Sequence, residues 1–350
     1  MHRYGILLLP AANRVYADAS RQLMAAELGV MSQAVLGGRV TDVREQTLGG
    51  APYLTFSAPE LTERDRDFLA NLSSLYTLFR IHPDGLLEPV GLRRLDRFDD
   101  DLVTIQKYVG KTNEHFTKLL LNVTVLTSRF ADEMTRRPLR VLDPLCGRGT
   151  TLNQAVMYGW DAAGVELESR DVEAYSTFLR TWLKRKRLKH TAEWVRVRRQ
   201  RRVVGRRLEV SLAASKEEWK AGEKQQVTMV NADTVEAADF FRPRSFDVLV
   251  ADAPYGVQHG SRGPDRTLTR SPVALLRAAL PGWLSLLRAG GALGLSWNTH
   301  VAPREELVKV LTEQGLEVPD EGPYREFAHR VDQAVRRDLV VARKPRGSAS

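Results

Sequence analysis

A chain of 350 residues can hold one large core or two domains, and 43% hydrophobic with 27% charged content excludes disorder throughout. One cysteine, Cys146, excludes an intramolecular disulfide and a four-cysteine zinc cage, and no metal site is read from the sequence. No apolar run approaches a membrane span and no secretory signal is recognised, so a cytoplasmic chain is expected, while a net charge of +9 favours a polyanionic partner.

In chain order, Tyr4 to Leu9 predicts a short buried strand, and 16–29 a helix ending at Gly29. Leu61, Phe68, Leu72, Leu75 and Phe79 recur at helical spacing and predict a helix over 60–80. His82-Pro83-Asp84-Gly85 opens a turn-rich stretch that places a boundary before residue 101. Residues 1–100 are therefore expected to form a small α+β domain, a candidate for RNA binding.

From 101 to 345 helices and short apolar strands alternate. Helices are expected at 113–133, 150–158 and 272–287, the last capped by Ser271, opened by Pro272 and bent at Pro281. Strands are expected at 139–143, 162–166, 226–230, 246–251, 292–297 and 338–343. That rhythm predicts an α/β Rossmann-like, doubly wound sheet, followed by a flexible tail at 346–350.

The strand Val141-Leu142-Asp143 runs through Pro144-Leu145-Cys146-Gly147-Arg148-Gly149 into a helix at Thr150. Glycines let a ligand approach the backbone, and a helix start offers unpaired N–H groups. An acid at the strand end is poorly placed against a pyrophosphate but suits an ammonium. Asp143, Pro144, Cys146, Gly147, Gly149 and Thr150 are thus candidate contacts for S-adenosylmethionine, whose methionine end carries an ammonium. A turn without ligand is the plain alternative for the glycines alone. Glu166, ending the next strand, falls where an acid binds ribose hydroxyls, and Asp233 could receive an adenine amino group.

Strand 246–251 runs into Asp252-Ala253-Pro254-Tyr255. An exocyclic base amine is a poor nucleophile because its lone pair is delocalised into the ring. Acceptors aimed at its N–H bonds free that pair. Asp252 supplies one acceptor, a carbonyl of the turn stiffened by Pro254 another, and Tyr255 can stack on the base. The alternative is an ordinary turn after a strand.

Asp143 to Thr150 together with Asp252 to Tyr255 resembles the class I Rossmann-like amino-methyltransferases, and most of all the tRNA guanosine-10 N2-methyltransferase family. Tyr108 to Thr117 resembles that family's segment closing over the methionine end, which implies Lys111 and Thr112 as further cofactor contacts. His329 to Asp338 resembles the segment leading into the last strand, which the family implies is reversed. Ala253 stands where the family has a first proline, and no complete THUMP module is identified before residue 100.

Between Arg180 and Arg207, thirteen lysines and arginines face one acid, Glu193, so the rest of the chain is net −3. This insertion, about 180–220, is expected either to track phosphates beside the active site or to be a solvated excursion. Its candidate nucleic-acid contacts are Arg185, Lys186, Arg187, Arg198, Arg199, Arg201 and Arg202, with Trp182 and Trp194 among the charges. The expected activity is methylation of a base amine, guanine N2 of tRNA first. The alternatives are adenine N6 or cytosine N4 of DNA, or a non-catalytic binding protein that keeps the cofactor fold. Carbon-5 chemistry needs a cysteine nucleophile, and Cys146 sits in the cofactor loop.

Overall fold

The computed structural model describes residues 1–9, 14–199, 202–253 and 272–346. Among these the strands build a five-stranded and a nine-stranded sheet. The chain opens with β1 (His2–Leu8), α1 (Arg14–Val35), β2 (Thr41–Leu48), β3 (Ala51–Ala58), α2 (Glu63–Leu69), β4 (Leu75–Ile81) and β5 (Leu87–Pro89). These strands pair antiparallel in the order β2-β3-β1-β4-β5. Alternation buries Tyr4, Ile6, Leu54, Phe56 and Leu78, which join residues of α1 in one core.

Two expectations fail here. Gly29 does not end α1, because the helix continues to Val35. A Cβ at Gly29 would lie 2.9 Å from Pro323, so the glycine serves close packing within the helix. The expected helix over 60–80 is two elements. Thr62 caps α2 in a reciprocal capping box with Asp65, and the chain turns at 70–74 before β4. Leu75, Leu78 and Phe79 satisfy helical spacing but also lie in a segment with Tyr76 and Thr77, residues suited to a pleated sheet.

A short α3 (Asp101–Thr104) and α4 (Glu114–Thr127) lead into the larger sheet. There follow β6 (Arg140–Asp143), α5 (Thr150–Met157), β7 (Asp161–Glu166), α6 (Ser169–Arg185), β8 (Lys189–Arg199), β9 (Arg202–Ala213), α7 (Lys216–Ala221), β10 (Gln225–Asn231) and β11 (Phe246–Asp252). The chain then forms α8 (Pro272–Leu286), β12 (Leu287–Asn298), α9 (Arg304–Glu313), β13 (His329–Arg330) and β14 (Arg336–Arg343). The strand order is β13-β14-β12-β11-β6-β7-β10-β9-β8. Strands β10, β7, β6, β11 and β12 are parallel, and β14 is reversed against β12. This is the class I methyltransferase arrangement, with its strand-order reversal between β6 and β11. Helix α8 continues through Pro281. No helix among the described residues is long and apolar enough to cross a membrane.

Two strands, Lys189–Arg199 and Arg202–Ala213, make up most of the described part of the basic insertion. β8 and β9 form an antiparallel hairpin added to the edge at β10, and Leu208, Val210 and Leu212 are buried in the core. The period-two burial on β9 holds it to the sheet in spite of its charge.

Candidate active site

Parallel strands bring their carboxyl ends to one edge of a sheet, so Asp143, Glu166 and Asp252 share that edge by topology. Together with Asp233 they line a cavity of about 840 Å³. Pro144, Cys146, Gly147, Thr150 and Thr112 also line it.

The cofactor loop is shaped by close packing. Gly147 has φ 49° and Gly149 φ 77°, backbone that other residues adopt at a cost. A Cβ at Gly149 would meet the Tyr175 ring at 2.4 Å, so Gly149 sets the packing of α5 against α6 and stands back from the cavity. Cys146 N–H donates to the Val165 carbonyl at 3.0 Å, and its side chain packs where a Cβ on Gly164 would otherwise lie. Burial pushes the Cys146 thiol up, as befits a packing residue.

Asp143 is 3% exposed and accepts the Leu145 N–H at 3.0 Å. Burial raises its pKa to about 7; hydrogen bonds from Thr151 and Leu145 oppose the shift, and the Asp252 and Glu166 charges add to it. Glu166 accepts the Gly147 N–H at 2.9 Å through one oxygen and the Glu168 N–H at 2.8 Å through the other, so it is held between the loop and its own turn into α6. Its own carbonyl accepts from the Asn231 amide at 3.0 Å, which ties the ends of β7 and β10 together. Asp233 caps the 3₁₀ turn Thr234–Asp239 by accepting the Val235 N–H at 3.0 Å.

Asp252 is the most heavily braced. The hydroxyls of Thr112 and Ser296 each donate to one of its oxygens. Arg337, 5% exposed, brings a guanidinium nitrogen within 3.7 Å. Arg337 also lies over the Phe116 ring at 4.6 Å. Ser296 is the register partner of Asp252 across β11 and β12, and its carbonyl accepts the Ala253 N–H at 2.8 Å. The carboxylate is thus held from three sides while lining the cavity.

Some sequence-predicted residues fall elsewhere. Lys111 stands off the cavity and donates to the Val103 carbonyl and to Glu114. Thr112 lies on the lining but bonds Asp252, which links the 108–112 segment to the end of β11. The same segment reaches the cofactor loop through Tyr108, whose hydroxyl is 3.0 Å from that of Thr150 and whose ring lies under Arg148. Pro254 and Tyr255 lie outside the described residues, as does Arg201.

Arg185, Lys186 and Arg187 do not lie beside the active site. Helix α6 carries them to the opposite edge, where Lys189 pairs with Ala213, and Lys186 is bound to Asp99 and Asp101. Trp182 is buried and donates to Asp101, so it is a packing residue. Arg198, Arg199 and Arg202 lie near the hairpin tip, on the active-site edge. Sequence reasoning missed Ser296, because only strand register aligns it with Asp252. Arg337 was visible only inside the His329 to Asp338 resemblance.

The sheet order and the reversed last strand are those of the class I methyltransferase fold, a fold that implies S-adenosylmethionine as methyl donor. Residues 131–291 match the family described as RMKL-like, methyltransferase domain, somewhat under half of the chain. That match agrees with the methyltransferase resemblance read from the two motifs. No curated protein matches the sequence.

Among solved structures, TrmN from Thermus thermophilus is similar at 17% identity and TM-score 0.39, over 86% of this chain and 59% of that one. The chain thus spans under two thirds of that protein. The N-methyltransferase NodS from Bradyrhizobium japonicum WM9 is similar at 13% identity and TM-score 0.37, over 66% of this chain and 94% of NodS. A putative rRNA-methylase from Clostridium thermocellum is similar at 13% identity and TM-score 0.34, over 59% and 88%.

Proposed function

We propose that the chain methylates an exocyclic amino group of a nucleic-acid base, guanine N2 of tRNA first, with S-adenosylmethionine as donor. The observation that carries this reading is the convergence of acids on one cavity, with Asp252 braced by Thr112, Ser296 and Arg337. The donor supplies an electrophilic methyl on a cationic sulfur. A buried carboxylate beside two others favours a cationic ligand, so Asp143 is assigned to the methionine ammonium. Glu166 is assigned to the ribose hydroxyls and Asp233 to the adenine amino group. Asp252 accepts an N–H of the incoming amine, drawing the nitrogen towards a nucleophilic geometry. Its fixed orientation removes the cost of arranging the acceptor during reaction. A base within a helix must first be flipped out.

The test is transfer of labelled methyl to total tRNA and to duplex DNA, followed by nucleoside mass spectrometry. N2-methylguanosine in RNA is expected, and Asp252→Ala should lose ~10²–10³-fold in kcat while cofactor affinity by calorimetry stays. Label appearing only in DNA transfers the reading to adenine N6 or cytosine N4. Unchanged turnover in Asp252→Ala removes that residue from the chemistry.

A further inference from the structure

The basic hairpin has a direction that its composition alone does not reveal. β9 runs antiparallel to β10, and the last paired residues are Arg207 with Val230, beside the end of β10 at Asn231. Asn231 is itself paired with Glu166 on β7, so this is the edge that carries the acids. Beyond Arg207 the hairpin continues without β10, from Arg206 back to Arg202, matched by Arg196 to Arg199 on β8. Four residues on β8 and five on β9, at ~3.4 Å each, give an overhang of about 14–17 Å past the carboxyl edge of the sheet.

The character of the ribbon changes where it leaves the core. On the face that carries Trp194 and Leu208, the next opposed pair is Arg196 with Arg206. Arg206 lies over the Trp194 ring at 4.6 Å and reaches Glu173 on α6 at 2.7 Å, which ties the base of the ribbon to the body. Arg196 is exposed. Arg198, Arg199 and Arg202 follow at strand positions towards the tip. Of the thirteen basic residues between Arg180 and Arg207, seven fall in the stretch 196–207, so a positive field for a polyanion lies on the substrate side of the catalytic edge.

We infer that the β8–β9 ribbon grips the phosphate backbone of a structured RNA at a distance from the methylated base, so that the enzyme requires a folded polynucleotide. This rests on the proposed base methylation. Arginines present donors only, which fits phosphate oxygens and makes the contact indifferent to sequence. The three basic residues 185–187, on the opposite edge, take no part.

The test compares two charge-matched triples: Arg196→Gln, Arg198→Gln, Arg199→Gln on the ribbon, and Lys184→Gln, Arg185→Gln, Arg187→Gln on the far edge. Fluorescence anisotropy is read with an RNA hairpin and a DNA duplex of about 30 nucleotides, chosen to exceed one helical turn. The ribbon triple should bind the RNA at least ~10-fold more weakly and flatten the log–log salt slope by about 2, at ~0.7–0.9 per lost contact. The far-edge triple should keep the native affinity and slope. Melting and cofactor affinity are measured on both, and both should match the native protein.

Equal weakening in both triples, or none in the ribbon triple, overturns the inference. Tighter binding of the DNA duplex, with the ribbon loss seen only there, overturns RNA as the occupant. The two proposals separate cleanly. Native protein that labels RNA while the ribbon triple keeps the native KM for RNA ends the ribbon reading alone. Ribbon-dependent RNA binding without methyl transfer ends the base-methylation reading alone.

Discussion

Asp143 gives the cofactor assignment a signature in pH. Its pKa is raised to about 7 in the folded protein, above the ordinary carboxylate value near 3.9. Between those values the native state holds a proton that the unfolded chain releases, so this residue's contribution to stability falls as pH rises through that window. A cationic ligand instead needs the ionised form. Affinity for S-adenosylmethionine should therefore climb with pH, by up to ~10-fold per unit below pH 7, and level off above it. Calorimetry from about pH 5.5 to 7.5 reads this slope, and in Asp143→Asn the slope should vanish along with most of the affinity. A flat native profile would end the assignment.

Arg337 acts at the same scale through another residue. It touches Asp252 and Phe116 and is almost fully buried, so it is a positioning residue for the carboxylate. Arg337→Met should lower kcat roughly 10–100-fold with KM for S-adenosylmethionine little changed, because a misaimed acceptor is felt in the transition state. Arg337→Lys should recover part of kcat, since charge returns but the planar stack on Phe116 does not. A purely structural role would instead depress melting and spare kcat in the surviving folded fraction.

Among the elements, those with a single clear signal were legible in the sequence. The strands ending at Asp143, Glu166 and Asp252 are short apolar runs that terminate in an acid, and they lie where expected. The antiparallel pair β2 and β3 went unread. β2, Thr41–Leu48, is exposed or half-buried along its whole length and carries no apolar alternation. The hairpin β8–β9 was obscured by charge: its periodicity lies in β9, where Leu208, Val210 and Leu212 alternate, while the arginines dominate the composition. Helix α1 overran its expected stop because Gly29 answers to Pro323, which is distant in sequence. The acids of the site could be read because each belongs to one strand end. The braces on Asp252 could not, because Thr112, Ser296 and Arg337 reach it only through tertiary register.

At the scale of the whole molecule, the boundary read near residue 100 divides sequence patterns, while the packing runs across it. Glu27 on α1 is fully buried and accepts from the Ser73 N–H and hydroxyl and from the Asn122 amide on α4. Asn122 also donates to the Asn71 carbonyl and accepts from the Tyr158 hydroxyl at 2.9 Å. A second seam joins Gln22 of α1 to the Glu326 carbonyl, beside the Gly29–Pro323 approach. The smaller sheet is thus bonded to both the start and the end of the larger fold.

Such seams make the two sheets one cooperative unit. Scanning calorimetry of the full chain should show a single transition with calorimetric and van't Hoff enthalpies in agreement. Glu27→Ala leaves three buried donors without an acceptor and should cost about 2–4 kcal/mol, lowering that one transition as a whole. Two resolved transitions in the native chain, or a Glu27→Ala loss confined to one of them, would show that the N-terminal sheet folds apart from the sheet whose edge holds Asp143 and Asp252.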